Sequence, residues 1–171
     1  MENAKENGEQ TVDPVMKRAI EAARKMLGDH QTLAMTQGIT PTELEAAYKL
    51  GQTYYVSGQY DEAEKIFKFL VLMNHLNAKF HLALGAVRQV RKEYRSAMES
   101  YGLAALCNVG NPKPHFYAAE CAYALGDLDT AESGVLSLLA MCPAGNPTND
   151  EFRGKAENLK NLIKSARAAK K

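Results

Sequence analysis

The sequence predicts an all-α solenoid of three helix hairpins, with an N-terminal helical arm before them and a C-terminal capping helix after them. Two observations predict this fold: equivalent residues recur at a fixed spacing, and helix-capping residues separate the recurring segments. The chain has 171 residues and a formal net charge of +1. That length suits one domain with a hydrophobic core and short arms.

The recurring spacing is 34 residues. It is clearest at positions where small residues would let two helices approach closely: Gly51 and Gly85, and then Ala63, Ala97 and Ala131. A 34-residue unit made of two helices is the tetratricopeptide repeat. The three predicted repeats span residues 44–77, 78–111 and 112–145. Together with the helix start at Thr40, they fill residues 40–145.

Capping residues fall where this repeat needs helices to begin and end. Thr40 to Glu43 form a capping box with Pro41 at the first helical position, and Asn111-Pro112 offers a similar start to the third repeat. Gly58 and Gly126 stand where the first helix of a hairpin must end.

The two ends of the chain lie outside the repeats. Residues 1–12 are predicted to be disordered, and residues 13–39 to form a helical arm whose apolar stripe makes it a candidate dimer interface. Residues 148–169 are predicted to form the capping helix, opened by a capping box at Thr148. Its apolar stripe is Phe152, Ala156, Leu159, Ile163 and Ala166.

The sequence offers little catalytic or metal chemistry. Its near-zero net charge opposes nucleic-acid binding through bulk positive charge, and no glycine pattern matches a phosphate loop. We expect no cofactor, no metal site and no enzyme activity, because no Cys-x-x-Cys pair or metal-type His spacing occurs. An enzyme with a cysteine nucleophile stays open as a hypothesis, with three candidates: Cys107, Cys121 and Cys142.

The first helix of each tetratricopeptide hairpin lines a concave groove. Aromatic side chains in such a groove are natural anchors for an extended peptide. The candidate peptide-binding residues are Tyr48, Gln52, Tyr55, Lys79, Leu82, Ala86, Gln89, Phe116, Glu120 and Tyr123.

One tetratricopeptide subclass binds free C-terminal carboxylates through a clamp of Lys, Asn and Arg residues. In this sequence, only Lys113 matches the clamp. The five clamp positions hold Tyr48, Gln52, Ala83, Lys113 and Tyr117. The sequence therefore disfavours a clamp for a free carboxylate.

Four segments together resemble the class II chaperones of bacterial type III secretion, which hold translocator proteins before export. The segments are Tyr60–Leu70, Leu82–Gln89, Phe116–Cys121 and Gly126–Gly134. The resemblance covers about residues 30 to 140. Each motif occurs in other tetratricopeptide proteins, whereas their combination with three repeats and an N-terminal helix is specific.

The resemblance implies a cytoplasmic bacterial chaperone that binds pore-forming translocators and keeps them soluble and apart. The cargo segment would be extended, of the form Pro-x-Leu-x-x-Pro, and would lie in the concave groove. Family members often form homodimers, and some assist a transcription activator. A generic tetratricopeptide scaffold or transcriptional co-regulator is the alternative. We expect no direct membrane insertion, because no apolar run approaches the roughly 20 residues that span a bilayer.

Overall fold

The computed structural model describes residues 17–18, 31–143 and 147–169. From residue 31 onward, every regular element in this part of the chain is an α-helix, which confirms the predicted fold class. The helices are α1 Leu33–Thr36, α2 Pro41–Val56, α3 Tyr60–Met73, α4 Ala78–Val90, α5 Tyr94–Cys107, α6 Pro112–Ala124, α7 Leu128–Met141 and α8 Pro147–Ala168. The predicted segment 1–12 and most of the predicted arm 13–39 lie outside the described residues.

The helices pack in chain order as three hairpins, α2 with α3, α4 with α5, and α6 with α7. Each hairpin also packs against the next one, and α8 covers the last hairpin by contacting both α6 and α7. Contacts of this kind between neighbours along the chain define a solenoid.

The turn inside each hairpin has the same geometry. Gly58, Lys92 and Gly126 occupy the left-handed region with φ of 78°, 63° and 76°. In the first turn the N–H of Gln59 donates to the carbonyl of Tyr54 at 2.9 Å, and the other two turns repeat this bond. These are Schellman motifs, in which a left-handed residue lets the last helical carbonyls find donors. The second turn places a lysine where the others place glycine.

Small residues bring the helices of each hairpin together, as the repeat predicts. A Cβ added at Gly51 would lie 2.7 Å from the Phe67 ring, and one at Gly85 would lie 2.5 Å from the Tyr101 ring. In the third hairpin the glycine stands on the second helix instead, where Gly134 faces Ala119. In all three hairpins, a glycine therefore lies where the two helices approach each other closely. It stands on the first helix of the first two hairpins and on the second helix of the third.

The helix starts agree with the predicted caps in two places and differ in one. Thr40 and Glu43 form the full capping box of α2, and the side chain of Asn111 accepts from the N–H of Lys113 at the start of α6. Helix α8 begins at Pro147, one residue before the predicted N-cap Thr148. Proline suits a first helical position because its φ is fixed near the helical value.

Two large cores lie at the ends of the solenoid. The N-terminal core joins α1, the first hairpin and α4 around Phe67, Leu70 and Phe80. The C-terminal core joins the third hairpin to α8, which buries Phe152, Ala156, Leu159 and Ile163. Four of the five residues of the predicted stripe therefore pack in this core, whereas Ala166 is only partly buried. A smaller cluster is centred on Tyr101 of the second hairpin and includes Cys121 of the third.

Candidate functional site

A cavity of about 450 Å³ opens on the face formed by the first helices of the hairpins. This is the size range of small-molecule and peptide side-chain pockets. Its lining comes from α2, α4 and α6, with one ring each from α3 and α5: Tyr48, Gln52, Tyr55, Phe67, Leu82, Ala83, Ala86, Gln89, Val90, Tyr101, Lys113 and Tyr117.

Aromatic rings hold each other in place around this cavity. The Tyr48 ring lies 5.6 Å from that of Phe67 and 5.9 Å from that of Phe80. On the opposite side, the Tyr101 and Tyr117 rings lie 5.5 Å apart. Because aromatic side chains have few rotatable bonds, packed rings of this kind form a pocket that exists before a ligand arrives.

A chain of hydrogen bonds runs beside the rings. The Tyr101 hydroxyl donates to Oε1 of Gln89 at 2.6 Å, and Nε2 of Gln89 donates to Oε2 of Glu120 at 3.4 Å. Burial raises the pKa of the Tyr101 phenol, so Tyr101 remains a neutral donor. Burial also raises the pKa of Glu120, against the opposing effects of the Gln89 bond and of Lys155.

An ion pair closes one rim of the cavity. Nζ of Lys79 lies 2.8 Å from Oε2 of Glu45, and 3.9 Å from the centre of the Tyr48 ring. The lysine therefore makes a salt bridge and a cation–π contact together. Burial raises the pKa of Tyr48, which keeps that phenol neutral as well.

The ten predicted binding residues do not all reach this cavity. Six of them line it: Tyr48, Gln52, Tyr55, Leu82, Ala86 and Gln89. Lys79 lies at its rim, and Glu120 lies behind it as the partner of Gln89. Phe116 and Tyr123 do not line it, because Phe116 is buried in the C-terminal core and the partly buried Tyr123 packs against that core.

The position of Phe116 shows this difference most clearly. Its side chain is only 7% exposed, and its ring lies 6.0 Å from that of Phe152 on α8. Tyr48, Leu82 and Phe116 occupy equivalent positions in the three repeats, but of these only Phe116 is covered by the capping helix.

Six lining residues are not among the ten candidates: Phe67, Ala83, Val90, Tyr101, Lys113 and Tyr117. Phe67 and Tyr101 come from second helices, which the groove prediction left out. The sequence signal that predicts these two rings at the groove is the glycine that lies against each of them. A ring that lies against Gly51 or Gly85 reaches through the hairpin to the groove face.

The cysteines lack the features of an activated nucleophile. Cys121 and Cys142 are fully buried and Cys107 is partly buried. Burial raises the pKa of all three thiols, that of Cys121 to about 12. Because the thiolate is the reactive form, raised pKa values oppose the hypothesis of cysteine catalysis.

The described residues offer neither a metal-binding cluster nor a membrane-spanning helix. They contain no group of three or more His, Cys, Asp or Glu residues arranged to hold a metal ion. Among the helices described between residues 31 and 169, none is long and apolar enough to cross a membrane.

Known proteins resemble this chain over most of its length, although no protein-family model matches it. Low calcium response locus protein H of Yersinia pseudotuberculosis is 36% identical over 133 residues, covering 78% of this chain and 79% of that protein. The crystal structure of a T3SS complex from Aeromonas hydrophila superposes with a TM-score of 0.76 and 37% identity, covering 90% of this chain and 97% of that chain.

A third similarity concerns a structure solved with its ligand. The Yersinia enterocolitica type III secretion chaperone SycD, in complex with a peptide of the translocator YopD, superposes with a TM-score of 0.70 at 33% identity, covering 75% of this chain and 98% of that chain. These findings favour the chaperone interpretation over a generic scaffold. The chain belongs to the family of type III secretion translocator chaperones.

Proposed function

We propose that this protein is a non-enzymatic, cytoplasmic bacterial chaperone that holds an extended segment of a pore-forming translocator in the cavity between its hairpins. The single observation that carries the proposal is the preformed aromatic cavity on the groove face. The bound translocator would stay soluble and separate from its partners before export.

The cavity suits an extended peptide for physical reasons. Neutral phenols and flat rings offer apolar contact together with hydrogen-bonding groups, which is the surface that apolar anchor residues and a peptide backbone require. A segment with two prolines loses little conformational entropy when it docks. Prolines and a leucine in the pattern Pro-x-Leu-x-x-Pro would supply compact apolar anchors for such a cavity.

A peptide titration with two matched tyrosine variants tests the proposal. Tyr55 and Tyr123 stand at the same position of the first and third repeats, but only Tyr55 lines the cavity. We expect Tyr55→Ala to weaken binding of a fluorescein-labelled Pro-x-Leu-x-x-Pro peptide by about 1–3 kcal/mol, measured by fluorescence anisotropy. Tyr123→Ala serves as the control and should weaken it much less.

Two results would contradict the proposal. One is wild-type protein that does not bind the peptide, and the other is an equal loss in the two variants. Co-expression provides a second measurement: a membrane-active translocator should remain soluble in a stoichiometric complex with the chaperone. A translocator that precipitates beside a folded, soluble chaperone would exclude the proposed role.

We further propose that the chain forms a homodimer through the predicted arm, residues 13–39. The support is the apolar stripe of that segment in the sequence. A chain lacking residues 1–28 should sediment as a monomer at concentrations where the full chain is a dimer. If the shortened chain remains a dimer, the interface lies elsewhere.

A further inference from the structure

The cavity carries one cationic side chain in its lining, Lys113, among uncharged residues. Lys113 is solvent-exposed and lies in the first turn of α6. A lysine in the first turn opposes the helix dipole, so the helix itself does not favour a positive charge at this place. The cavity therefore has a positive end that the helix dipole does not explain.

The repeat shows how this charge differs from its equivalents. Glu45, Lys79 and Lys113 occupy the same position in the three successive repeats. The first two neutralise each other, with Lys79 Nζ 2.8 Å from Glu45 Oε2. Among the described residues, Lys113 has no carboxylate within the 4.0 Å of an ion pair.

The acidic groups near Lys113 are engaged with other residues. Lys155, whose Nζ lies 2.5 Å from Oε1 of Glu151, is the main cause of the lowered pKa of Glu151, and Lys113 contributes less to it. Glu120 accepts from Gln89 behind the cavity. Lys113 is thus the lining charge that remains available to a ligand.

We propose that Lys113 makes the cavity selective for an extended segment that carries an acidic side chain, Asp or Glu, beside its apolar anchors. This inference rests on the proposed function and specifies its ligand. A flexible, exposed lysine at the edge of an apolar pocket reaches a carboxylate on the bound segment, and the docked segment itself displaces part of the water around that pair. The apolar anchors supply affinity, and the ion pair sets the register of the segment.

The test compares pairs of peptides that differ in one residue. Each pair is built on a Pro-x-Leu-x-x-Pro peptide with an amidated C-terminus, and carries Glu or Gln at one variable or flanking position. For one position we expect the Glu peptide to bind about three- to tenfold more tightly than the Gln peptide, the range of a partly shielded ion pair. Raising the ionic strength should reduce this preference.

Variants of Lys113 and Lys79 show which lysine causes the preference for the Glu peptide. Lys113→Met should abolish the preference for Glu, and Lys113→Glu should reverse it in favour of a peptide carrying Lys at that position. The matched control is Lys79→Met at the equivalent repeat position, which should keep the ratio of Glu to Gln affinity even if absolute affinity changes. A thermal melt of each variant verifies folding.

Each remaining outcome contradicts a specific claim. Equal binding of Glu and Gln peptides at every position would overturn the inference and leave the proposed function intact. The same peptide with a free C-terminus gives a further readout: if Lys113→Met removes only an advantage of the free over the amidated C-terminus, Lys113 serves a terminal carboxylate and the inference is overturned too. Failure of every peptide to bind the folded wild type would overturn the proposed function itself.

Discussion

All three hairpins are copies of the same repeat, yet equivalent side chains have different surroundings in the first two hairpins and in the third. At one position of the first helix, Tyr48 and Leu82 line the cavity whereas Phe116 is buried. At another, Tyr55 lines the cavity whereas Tyr123 packs against the C-terminal core. The repeat specifies which way a side chain points, but the neighbouring element decides whether that face binds a ligand or forms part of the core.

Helix α8 is the neighbour that makes the difference. Its Phe152 ring approaches Phe116 edge-on, and its Ala156 is fully buried in the same core. The last hairpin of a solenoid has no following repeat, so a capping helix must cover its exposed face. In this protein, the cap covers Phe116, which stands at the position where the first hairpin uses Tyr48 to line the cavity.

The largest expected effect comes from truncating the covered side chain. Phe116→Ala should lower the free energy of unfolding by about 3–5 kcal/mol, because it opens a cavity in the C-terminal core. Leu82→Ala at the equivalent position should cost much less, because Leu82 is only partly buried and borders an existing cavity. Urea unfolding followed by circular dichroism measures both.

The same pair separates stability from binding. In conditions where both variants are folded, Leu82→Ala should weaken peptide binding more than Phe116→Ala does. If Phe116→Ala is as stable as the wild type, the C-terminal core is not packed as described. The comparison between the two regions would then lose its basis.

The 34-residue spacing was sufficient to predict the helices, the close contacts at Gly51 and Gly85, and a groove face. Those features depend on local periodicity and on residue size, which the sequence displays directly. The burial of Phe116 depends on where α8 returns to pack, and the repeat contains no information about that contact. The role of Tyr101 at the groove was missed for a related reason, since a second-helix ring reaches the groove only because Gly85 leaves space.

We expect an intermediate loss of stability when the space beside Gly85 is filled. Gly85→Ala should lower the free energy of unfolding by about 1–3 kcal/mol, because the added methyl group would lie 2.5 Å from the buried Tyr101 ring. The third hairpin supplies the control. There, Gly134→Ala brings a methyl group to 3.1 Å from the Ala119 Cβ, a milder contact that should cost less. Thermal unfolding measures the two losses, and equal losses would contradict a close approach specific to the second hairpin.

The smallest expected effect tests the turn that departs from the repeat. Lys92 adopts φ of 63° where the first and third hairpins have glycine. Lys92→Gly should raise the free energy of unfolding by about 0.5–1 kcal/mol, because the relief of left-handed strain exceeds the added chain entropy of glycine. Chemical unfolding at several denaturant concentrations resolves a change of this size.

Two controls isolate the conformational origin of that gain. Lys92→Ala removes the charge but keeps the Cβ, so it should give no comparable stabilisation. Gly126→Ala is the reverse change at the equivalent turn, where an added Cβ meets no atom within 4 Å. It should therefore lose about 1–2 kcal/mol from backbone strain alone. A stabilising Lys92→Ala would instead show that the charge of Lys92, and not its φ, distinguishes the second turn from the other two.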